Sequence, residues 1–168
     1  MRRAILATII LALVPCLAQA QSSDYSKWSG YGYLAPGGRV TSGSGSRATL
    51  HLGGGVERFF SRHAGMGADA GFLGTFEPDH RFPVDRWGVF SSNFVASYRA
   101  KSNRTGTEGF VTGGYTLISG DGTYNGVNFG GGFNWWFDKQ VGLRVEVRDH
   151  LLLGPFHTVG LRIGLTVR

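Results

Sequence analysis

The sequence is poor in cysteine and in lysine, and each shortage excludes a class of protein. Of its 168 residues one is a cysteine, Cys16, which lies in a segment typical of a secretory signal. The mature chain is therefore expected to form no disulfide, no cysteine-ligated zinc site and no thiol nucleophile. Lysine occurs only at Lys27, Lys101 and Lys139. Water-facing sheet surfaces usually carry lysine freely, so the scarcity of lysine speaks against strands that face water.

The sequence also has no apolar run long enough to span a membrane as a helix. MRRAILATIILALVPCLAQA begins with two arginines, continues with an apolar stretch and ends with the small-residue pattern Ala18-Gln19-Ala20, as secretory signals do. The apolar stretch stops at Pro15, short of the about 20 residues that a spanning helix needs. We expect a cleaved signal peptide over 1–20, a short tail over 21–27 and one domain over 28–168.

The charge of the chain gives no sign of a nucleic-acid surface. The formal charge is +6, of which Arg2 and Arg3 in the predicted signal contribute two. The remainder is mildly basic and holds no block of like charge of the kind that binds phosphate backbones. Charged residues within the predicted strands are few and nearly balanced in sign. We therefore predict no nucleic-acid partner, and the residue pattern implies no cofactor and no metal.

The chain contains 28 glycines and no long stretch of helical periodicity, which indicates an all-β fold. Most of the predicted strands reach the about 9–11 residues that a tilted strand needs to cross a bilayer. We predict an eight-stranded antiparallel up-and-down transmembrane β-barrel. The predicted strands cover residues 28–35, 48–60, 64–76, 87–100, 107–118, 124–137, 141–149 and 156–167.

The connections between these strands are predicted to alternate in length. Every second connection is long: APGGRVTSGSGSR, EPDHRFPVDR, SGDGT and the segment around LLLGP. The connections SRH, KSNRTG and DKQ lie between them and are on the whole shorter. Long loops at one end and tight turns at the other are typical of bacterial transmembrane barrels, whose periplasmic turns are short.

The stretch VGLRVEVRD over 141–149 separates apolar and charged residues onto the two faces of one strand. VNFGGGFNWWF and VGLRIGLTVR repeat this separation, with glycine, amide and arginine side chains opposite bulky apolar ones. In a membrane barrel the apolar face contacts lipid and the charges face the lumen. In a soluble barrel of the lipocalin kind the faces are reversed, and the apolar face lines a ligand cavity. The lysine count and the loop pattern favour the membrane barrel.

The narrow interior of an eight-stranded barrel is expected to hold charged side chains in pairs. We expect Glu146 to pair with Arg162 or Arg99, or with Arg144 and Arg148 on its own strand face. The predicted structural charge network in the lumen consists of Asp69, Arg99, Arg144, Glu146, Arg148 and Arg162.

Aromatic residues near the strand ends suggest the belts that membrane barrels carry at the level of the lipid head groups. Most of them lie at the end that carries the short turns, and Trp87 flanks a long connection at the other end. The predicted aromatic girdle consists of Trp28, Tyr31, Tyr33, Trp87, Trp135 and Phe137.

With its signal peptide, eight strands, the hairpin GGGFNWWFDKQVGLRVEVRD and the alternating last strand, the mature region resembles the small outer-membrane β-barrel family, such as the OmpA transmembrane domain and OmpX. The resemblance implies a Gram-negative outer-membrane location, contact with lipopolysaccharide and other outer-membrane lipid, and insertion by the barrel-assembly machinery. We also expect a monomer. Family members usually end on an aromatic residue that the assembly machinery reads, and this chain departs from them by ending Val167-Arg168.

A fold names no activity, so three functions remain open. The first is a non-enzymatic barrel that contributes to envelope integrity or displays surface loops, with a filled lumen and no open pore. The second is an enzyme acting on lipid A, with candidates among Asp149, His150 and His157 near the last long connection, and Asp79, His80 and Asp85 near the second. The third is a soluble barrel that binds an apolar ligand. We expect no catalytic residues, because the chain lacks the constellation that such chemistry needs.

Overall fold

The computed structural model describes residues 28–41, 45–61, 63–77, 83, 85–99, 105–154 and 156–168, with only the backbone of Arg99. Eight antiparallel strands close into a barrel in which each strand pairs with its neighbours in sequence and β1 pairs with β8. None of the described residues forms a helix long and apolar enough to cross a membrane. The strands are β1 (Trp28–Thr41), β2 (Gly45–Phe59), β3 (Ala64–Phe76), β4 (Asp85–Arg99), β5 (Gly106–Ser119), β6 (Thr123–Trp136), β7 (Val141–Leu152) and β8 (Phe156–Val167).

The fold class predicted from the sequence is confirmed as an all-β, closed, eight-stranded antiparallel barrel. The predicted signal peptide and tail fall on residues 1–27, which lie outside the described residues. Their boundaries, and that of the domain at residue 28, stay predictions.

The alternation along β7 places the charged face inside the barrel. Arg144, Glu146 and Arg148 are each about 1% exposed. Val147, between two of them in sequence, is 54% exposed on the outer surface. The same alternation runs through all eight strands, because successive side chains of a strand point to opposite faces. This is the reverse of the arrangement that the soluble, ligand-binding alternative requires, with its apolar face inside.

The strands are staggered around the barrel. Following paired residues from Gly30 through each strand in turn leads back to Val40 on the same strand, ten residues further along. Such a stagger accompanies strands tilted by about 35–45° to the barrel axis. The tilt brings interior side chains of distant sequence position to one level of the lumen. The path runs Gly30, Val56, Ala68, Ser92, Tyr115, Val127, Leu151, His157 and Val40.

The first hairpin is longer than the sequence predicts. Residues 36–41 and 45–47 were expected in a loop, and they continue β1 and β2 as far as the pair Thr41↔Gly45. The hydrogen bonds between the two strands are made by backbone groups, so the glycine and serine residues of this segment do not prevent the pairing. Pro36 is tolerated because the pairing of β1 with β8 skips it, passing from Leu34↔Ile163 to Gly37↔Gly160.

The predicted contrast between long loops and short turns is largely wrong. We call the end that holds Trp28 and Val167 the turn end and the opposite end the loop end. Strand extension shortens the connections of the loop end, so only 77–84 is longer than every connection at the turn end. The loop-end connections are 42–44, 77–84, 120–122 and 153–155, and the turn-end connections are 60–63, 100–105 and 137–140.

Candidate functional site

The middle of the lumen is filled by a network of ionic side chains that we call the ionic cluster. Its six members come from β2, β3, β7 and β8 and are almost completely buried. Three are arginines and three are acidic, so the formal charges balance. This matters because isolated charges at such depth are costly, whereas paired ones satisfy one another. The ionic cluster consists of Glu57, Asp69, Arg144, Glu146, Arg148 and Arg162.

Glu146 joins two arginines of its own strand. Arg144 Nε donates to Glu146 Oε2 at 3.1 Å, and Arg148 Nε donates to Glu146 Oε1. Arg144 Nη2 also lies 2.9 Å from Glu57 Oε1 on β2. Among the described side chains, the predicted partners that bond to Glu146 are therefore the two arginines that lie two residues away on the same face. Arg162 is its cross-strand neighbour in register and pairs elsewhere.

Asp69 is the second acidic centre of the cluster. Arg162 Nη2 donates to Asp69 Oδ1 at 3.3 Å, and Arg148 Nη1 lies 4.0 Å from Asp69 Oδ2. Tyr33 donates its hydroxyl to Oδ1 at 3.3 Å, and Asn93 Nδ2 donates to Oδ2 at 2.8 Å. One carboxylate from β3 thereby links β1, β4, β7 and β8 across the lumen.

Neutral polar side chains continue the network around Arg148. Its Nη1 donates to Asn93 Oδ1 at 3.0 Å and to Asn128 Oδ1 at 2.6 Å. Asn128 Nδ2 in turn donates to the hydroxyl of Thr116 at 2.8 Å, which also contacts His150 Nδ1 at 3.0 Å. The guanidinium is thus held from several strands at once. The sequence pattern places Asn128 on the polar face of β6. It does not indicate Arg148 as the partner, because that contact depends on the register between the strands.

Tyr31 and Tyr33 correct the predicted aromatic girdle, since both point into the lumen and are at most 7% exposed. The Arg144 guanidinium lies 4.1 Å from the ring centre of Tyr31, and that of Arg162 lies 4.2 Å from that of Tyr33. These are cation–π distances. The girdle was assigned by distance from the strand end, and this criterion is not sufficient. A girdle residue must also lie on the outward-facing side of its strand, as Trp28 does and as these two tyrosines do not.

Glycines opposite these tyrosines provide the space for their rings. Tyr31 pairs with Gly55 and Tyr33 with Gly53 across β1 and β2. A Cβ added at Gly55 would lie 2.7 Å from Tyr31 Cζ, and one at Gly53 would lie 2.7 Å from the Tyr33 hydroxyl. Each contact is too close for real carbon atoms. Glycine is therefore required at positions 53 and 55 by the tyrosine rings and by backbone oxygens of β3, which an added Cβ would approach equally closely.

Trp87 was also predicted to belong to the aromatic girdle, and it lies inside the barrel instead. It is 8% exposed and belongs to an apolar cluster inside the loop end of the barrel. Its ring centre lies 5.7 Å from that of Tyr124 and 6.0 Å from that of Phe156. We call this group the loop-end cluster, and it separates the ionic cluster from the mouth of the barrel. Its members are Leu73, Trp87, Val89, Ile118, Leu152 and Phe156, with Tyr124 packed against them.

An aromatic and ionic plug occupies the interior at the turn end. Trp136 Nε1 donates to Glu108 Oε2 at 2.8 Å, and the Arg168 guanidinium lies 3.8 Å from a Trp136 ring centre. Arg168 Nη1 is also 3.7 Å from Glu108 Oε2. The lumen is thus filled at both ends and in the middle. A cavity of about 10 Å³, lined in part by His51, His150 and Arg162, has room for about one water molecule.

Exposed aromatic residues ring the outside of the turn end. Of the predicted girdle, Trp28, Trp135 and Phe137 lie here, each between 53% and 55% exposed. Phe60 and Tyr98 complete the ring and are still more exposed. Tyr98 was not recognised from the sequence, although its outward parity in β4 and its place near the KSNRTG turn would have identified it.

The predicted lumen residues Asp69, Arg144, Glu146, Arg148 and Arg162 all lie in the ionic cluster. The backbone of Arg99 pairs with Glu108, and its side chain lies outside the described part of the structure. Glu57 was not included in the predicted network. Its parity in β2, which it shares with His51, was the signal that could have placed it there.

The described candidate catalytic residues do not form one group, although Asp149 and His157 face each other. His150 points into the lumen, where it contacts Arg162, whereas Asp149 and His157 lie on the outer surface. Asp85 makes ion pairs with Arg39 and Arg47, and residues 79 and 80 lie outside the described residues. Among the described residues no group of three or more histidine, cysteine or acidic side chains is placed to hold a metal ion.

No family model and no curated protein matches the sequence, whereas several solved structures share its fold. Neisserial surface protein A (NspA) is 13% identical, with a TM-score of 0.64 over 84% of this chain and 97% of that chain. The N-terminal β-barrel domain of Pseudomonas aeruginosa OprF is 11% identical, with a TM-score of 0.57 over 84% and 96%. Ail, the attachment invasion locus protein of Yersinia pestis, is 10% identical, with a TM-score of 0.58 over 83% and 96%. These neighbours are small eight-stranded outer-membrane β-barrels, and at such identities the likeness concerns the fold.

Proposed function

We propose that the protein is an integral barrel of a Gram-negative outer membrane, reached through the periplasm, with a structural role in the envelope and connections displayed at the surface. One observation carries this proposal: bulky apolar side chains cover the outside of the barrel while its charges are paired inside. In water such an outer surface would far exceed the apolar patches of soluble monomers. In a bilayer it is the surface that lipid requires.

The exposed aromatic ring supports an orientation with the turn end in the periplasm. Trp and Phe side chains at this level suit the boundary between head groups and hydrocarbon. The loop end then faces the outside of the cell. There, Arg47 pairs with Glu77 at 3.0 Å and with Asp85 at 3.8 Å, which ties β2 to both ends of the 77–84 connection.

The proposed role excludes general diffusion through the lumen. The loop-end cluster, the ionic cluster and the plug around Trp136 fill the interior of the described barrel at successive levels. An eight-stranded barrel has an interior just wide enough for side chains. In planar bilayers the purified protein is expected to give no stable channels of porin size, and regular open steps of that size would contradict this part of the proposal.

Outer-membrane lipid, including lipopolysaccharide, and the barrel-assembly machinery are the proposed partners. The closed ring of strand pairs leaves no open edge for pairing with a second copy, which supports a monomer. The last strand offers the assembly machinery the outward-facing series Leu161, Ile163, Leu165 and Val167. The likeness to a surface protein and to an attachment and invasion protein supports a role at the cell surface.

Electrophoresis of the outer-membrane fraction tests the proposal. The full-length protein is expressed in a Gram-negative host, and the fraction is run in detergent with and without boiling. We expect a band that changes mobility only on boiling, because a closed hydrogen-bonded barrel resists detergent until it is heated. Recovery of the folded protein from the soluble periplasmic fraction would overturn the membrane assignment.

A further inference from the structure

Two ionisable side chains interrupt the apolar outer surface near the loop end. Asp149 on β7 and His157 on β8 both belong to the outward-facing set of their strands. Their neighbours on that surface, such as Val147 and Val159, are apolar and exposed. Asp149 is the one outward-facing acidic residue in the described strands. The others, which face inward, are Glu57, Asp69, Asp85, Glu108 and Glu146.

The two side chains face each other without a direct hydrogen bond. Asp149 Oδ1 lies 3.6 Å from His157 Nδ1, beyond hydrogen-bond distance, and neither atom has another hydrogen-bond partner. The side chains remain 22% and 40% exposed, respectively. The two facing atoms themselves are buried, so it is the remaining, exposed part of each side chain that meets whatever surrounds the barrel. Neither side chain is used by the ionic cluster.

Their depth places them within the hydrocarbon band. Trp135 of the turn-end ring pairs with Leu143, and Asp149 follows Leu143 by six residues along β7. At about 3.3 Å per residue and a tilt of about 40°, this is about 15 Å along the barrel axis. His157, the partner of Leu151, lies about 20 Å from the ring by the same reasoning. The apolar band of such barrels is about 25 Å tall.

Ionisable side chains at this depth are costly and mark functional sites. We propose that Asp149 and His157 form a binding site for a lipid with hydroxyl or amide N–H groups on or beside its acyl chains. This inference rests on the proposed function, and lipid A, with its hydroxylated and amide-linked chains, is of this class. A carboxylate accepts hydrogen bonds, and an imidazole supplies one donor and one acceptor, so the pair matches such groups.

The location of the donors within the lipid distinguishes this class from ordinary phospholipids. Phospholipids carry their donors in the head group, outside the band, whereas hydroxyl and amide groups near the chains lie at the level of the pair. The apolar wall of Val147, Val159 and Leu161 extends from the pair toward the turn end. An acyl chain packed along this wall would place its polar attachment point next to Asp149 and His157.

Native mass spectrometry of the folded, purified barrel tests the site with three added lipids. Lipid A carries hydroxyl, amide and phosphate groups, ceramide carries hydroxyl and amide groups without phosphate, and phosphatidylcholine has no hydrogen-bond donor. We expect lipid A and ceramide to be retained in preference to phosphatidylcholine. Retention of lipid A without retention of ceramide would overturn the proposal, because it would assign binding to the phosphates. Equal retention of all three lipids would also overturn it.

A double variant, Asp149→Val with His157→Val, makes this part of the wall uniformly apolar. We expect it to retain lipid A and ceramide about tenfold less, the effect of losing a hydrogen bond to a charged group. Ser92→Val removes an outward-facing polar side chain of β4 and is the matched control, expected to bind as the wild type does. Unchanged retention in the double variant would overturn the proposal.

Each variant is first checked for the mobility shift on boiling, so failure of the barrel assignment is distinguished from failure of the lipid site. Should the double variant not fold, Asp149→Asn keeps the shape of the side chain and removes its charge. We expect weaker retention in that variant as well. A folded Asp149→Asn barrel with undiminished retention would contradict the proposed role of the carboxylate.

Discussion

The ionic cluster and the loop-end cluster fill adjacent levels of one lumen by opposite means. In the ionic cluster, Glu146 and Asp69 are held by arginines from several directions, so each charge depends on its partners. In the loop-end cluster, Ile118 and Trp87 are held by contact with other apolar groups. The ionic cluster is therefore vulnerable to the loss of a single charge, whereas the loop-end cluster is vulnerable to the loss of volume.

The largest effect is expected for Glu146→Gln. The substitution leaves the guanidinium groups of Arg144 and Arg148 buried with one carboxylate fewer, which costs about 3–5 kcal/mol when a buried pair is broken. Urea unfolding of the barrel in lipid vesicles measures the loss. Combining this substitution with Arg148→Gln is expected to cost less than the sum of the two single effects, because the two residues share an interaction. An unchanged unfolding midpoint in Glu146→Gln would refute the mutual dependence.

Ile118→Ala probes the loop-end cluster by removing volume without charge. Ile118 is fully buried, so the cavity left behind is expected to cost about 3 kcal/mol. Val111→Ala on the same strand is the matched control, because Val111 is 61% exposed on the outer surface. The same unfolding experiment should show the control to be nearly neutral. Equal losses in the two variants would mean that the interior cluster is not closely packed.

Tyr33→Phe separates hydrogen bonding from ring packing in the ionic cluster. The ring beneath Arg162 remains, while the hydroxyl bonds to Asp69 and His51 are lost. We expect a loss of about 1–2 kcal/mol in the free energy of unfolding. The exposed Tyr98 offers the control Tyr98→Phe, with no measurable change. A loss in Tyr33→Phe no greater than in the control would show that the hydroxyl contributes nothing to the cluster.

The smallest effect is expected at the 137–140 turn, outside both clusters. Backbone N–H groups of Gln140 and Val141 donate to Asp138 at 2.6 and 2.7 Å and lower the pKa of its carboxyl group. Because the pKa of Asp138 is lower in the folded state, its ionised carboxylate stabilises the turn when the pH is above the ordinary pKa of 3.8. This contribution is lost as the pH falls through the folded-state pKa. The stability difference between wild type and Asp138→Ala should therefore be present at neutral pH and shrink below pH 3.8. A difference independent of pH would contradict this assignment.

Much of the fold was predictable from the sequence because side-chain alternation is a local property. The stretch 141–149 identified its charged face, and the closed eight-stranded class followed from the number and spacing of such strands. The end of β1 was not predictable from the sequence. The strand pairing from Pro36 to Thr41 is made by backbone groups, and the glycine-rich sequence there shows no alternation of side chains that would indicate a strand. The inward position of Trp87 was not predicted, because proximity to a strand end does not indicate which face of the strand a side chain lies on.

The amphipathic strands, and the set of side chains that share a face in each, can be read from the amino-acid sequence, since period-two alternation needs no knowledge of the partner strand. Which charges meet depends on the closed barrel. The ten-residue stagger and the closure of β8 onto β1 bring Asp69 to Arg162, although 93 residues separate them in the chain. Register is set by the packing of all eight strands at once, so no single strand specifies the partner of a buried charge.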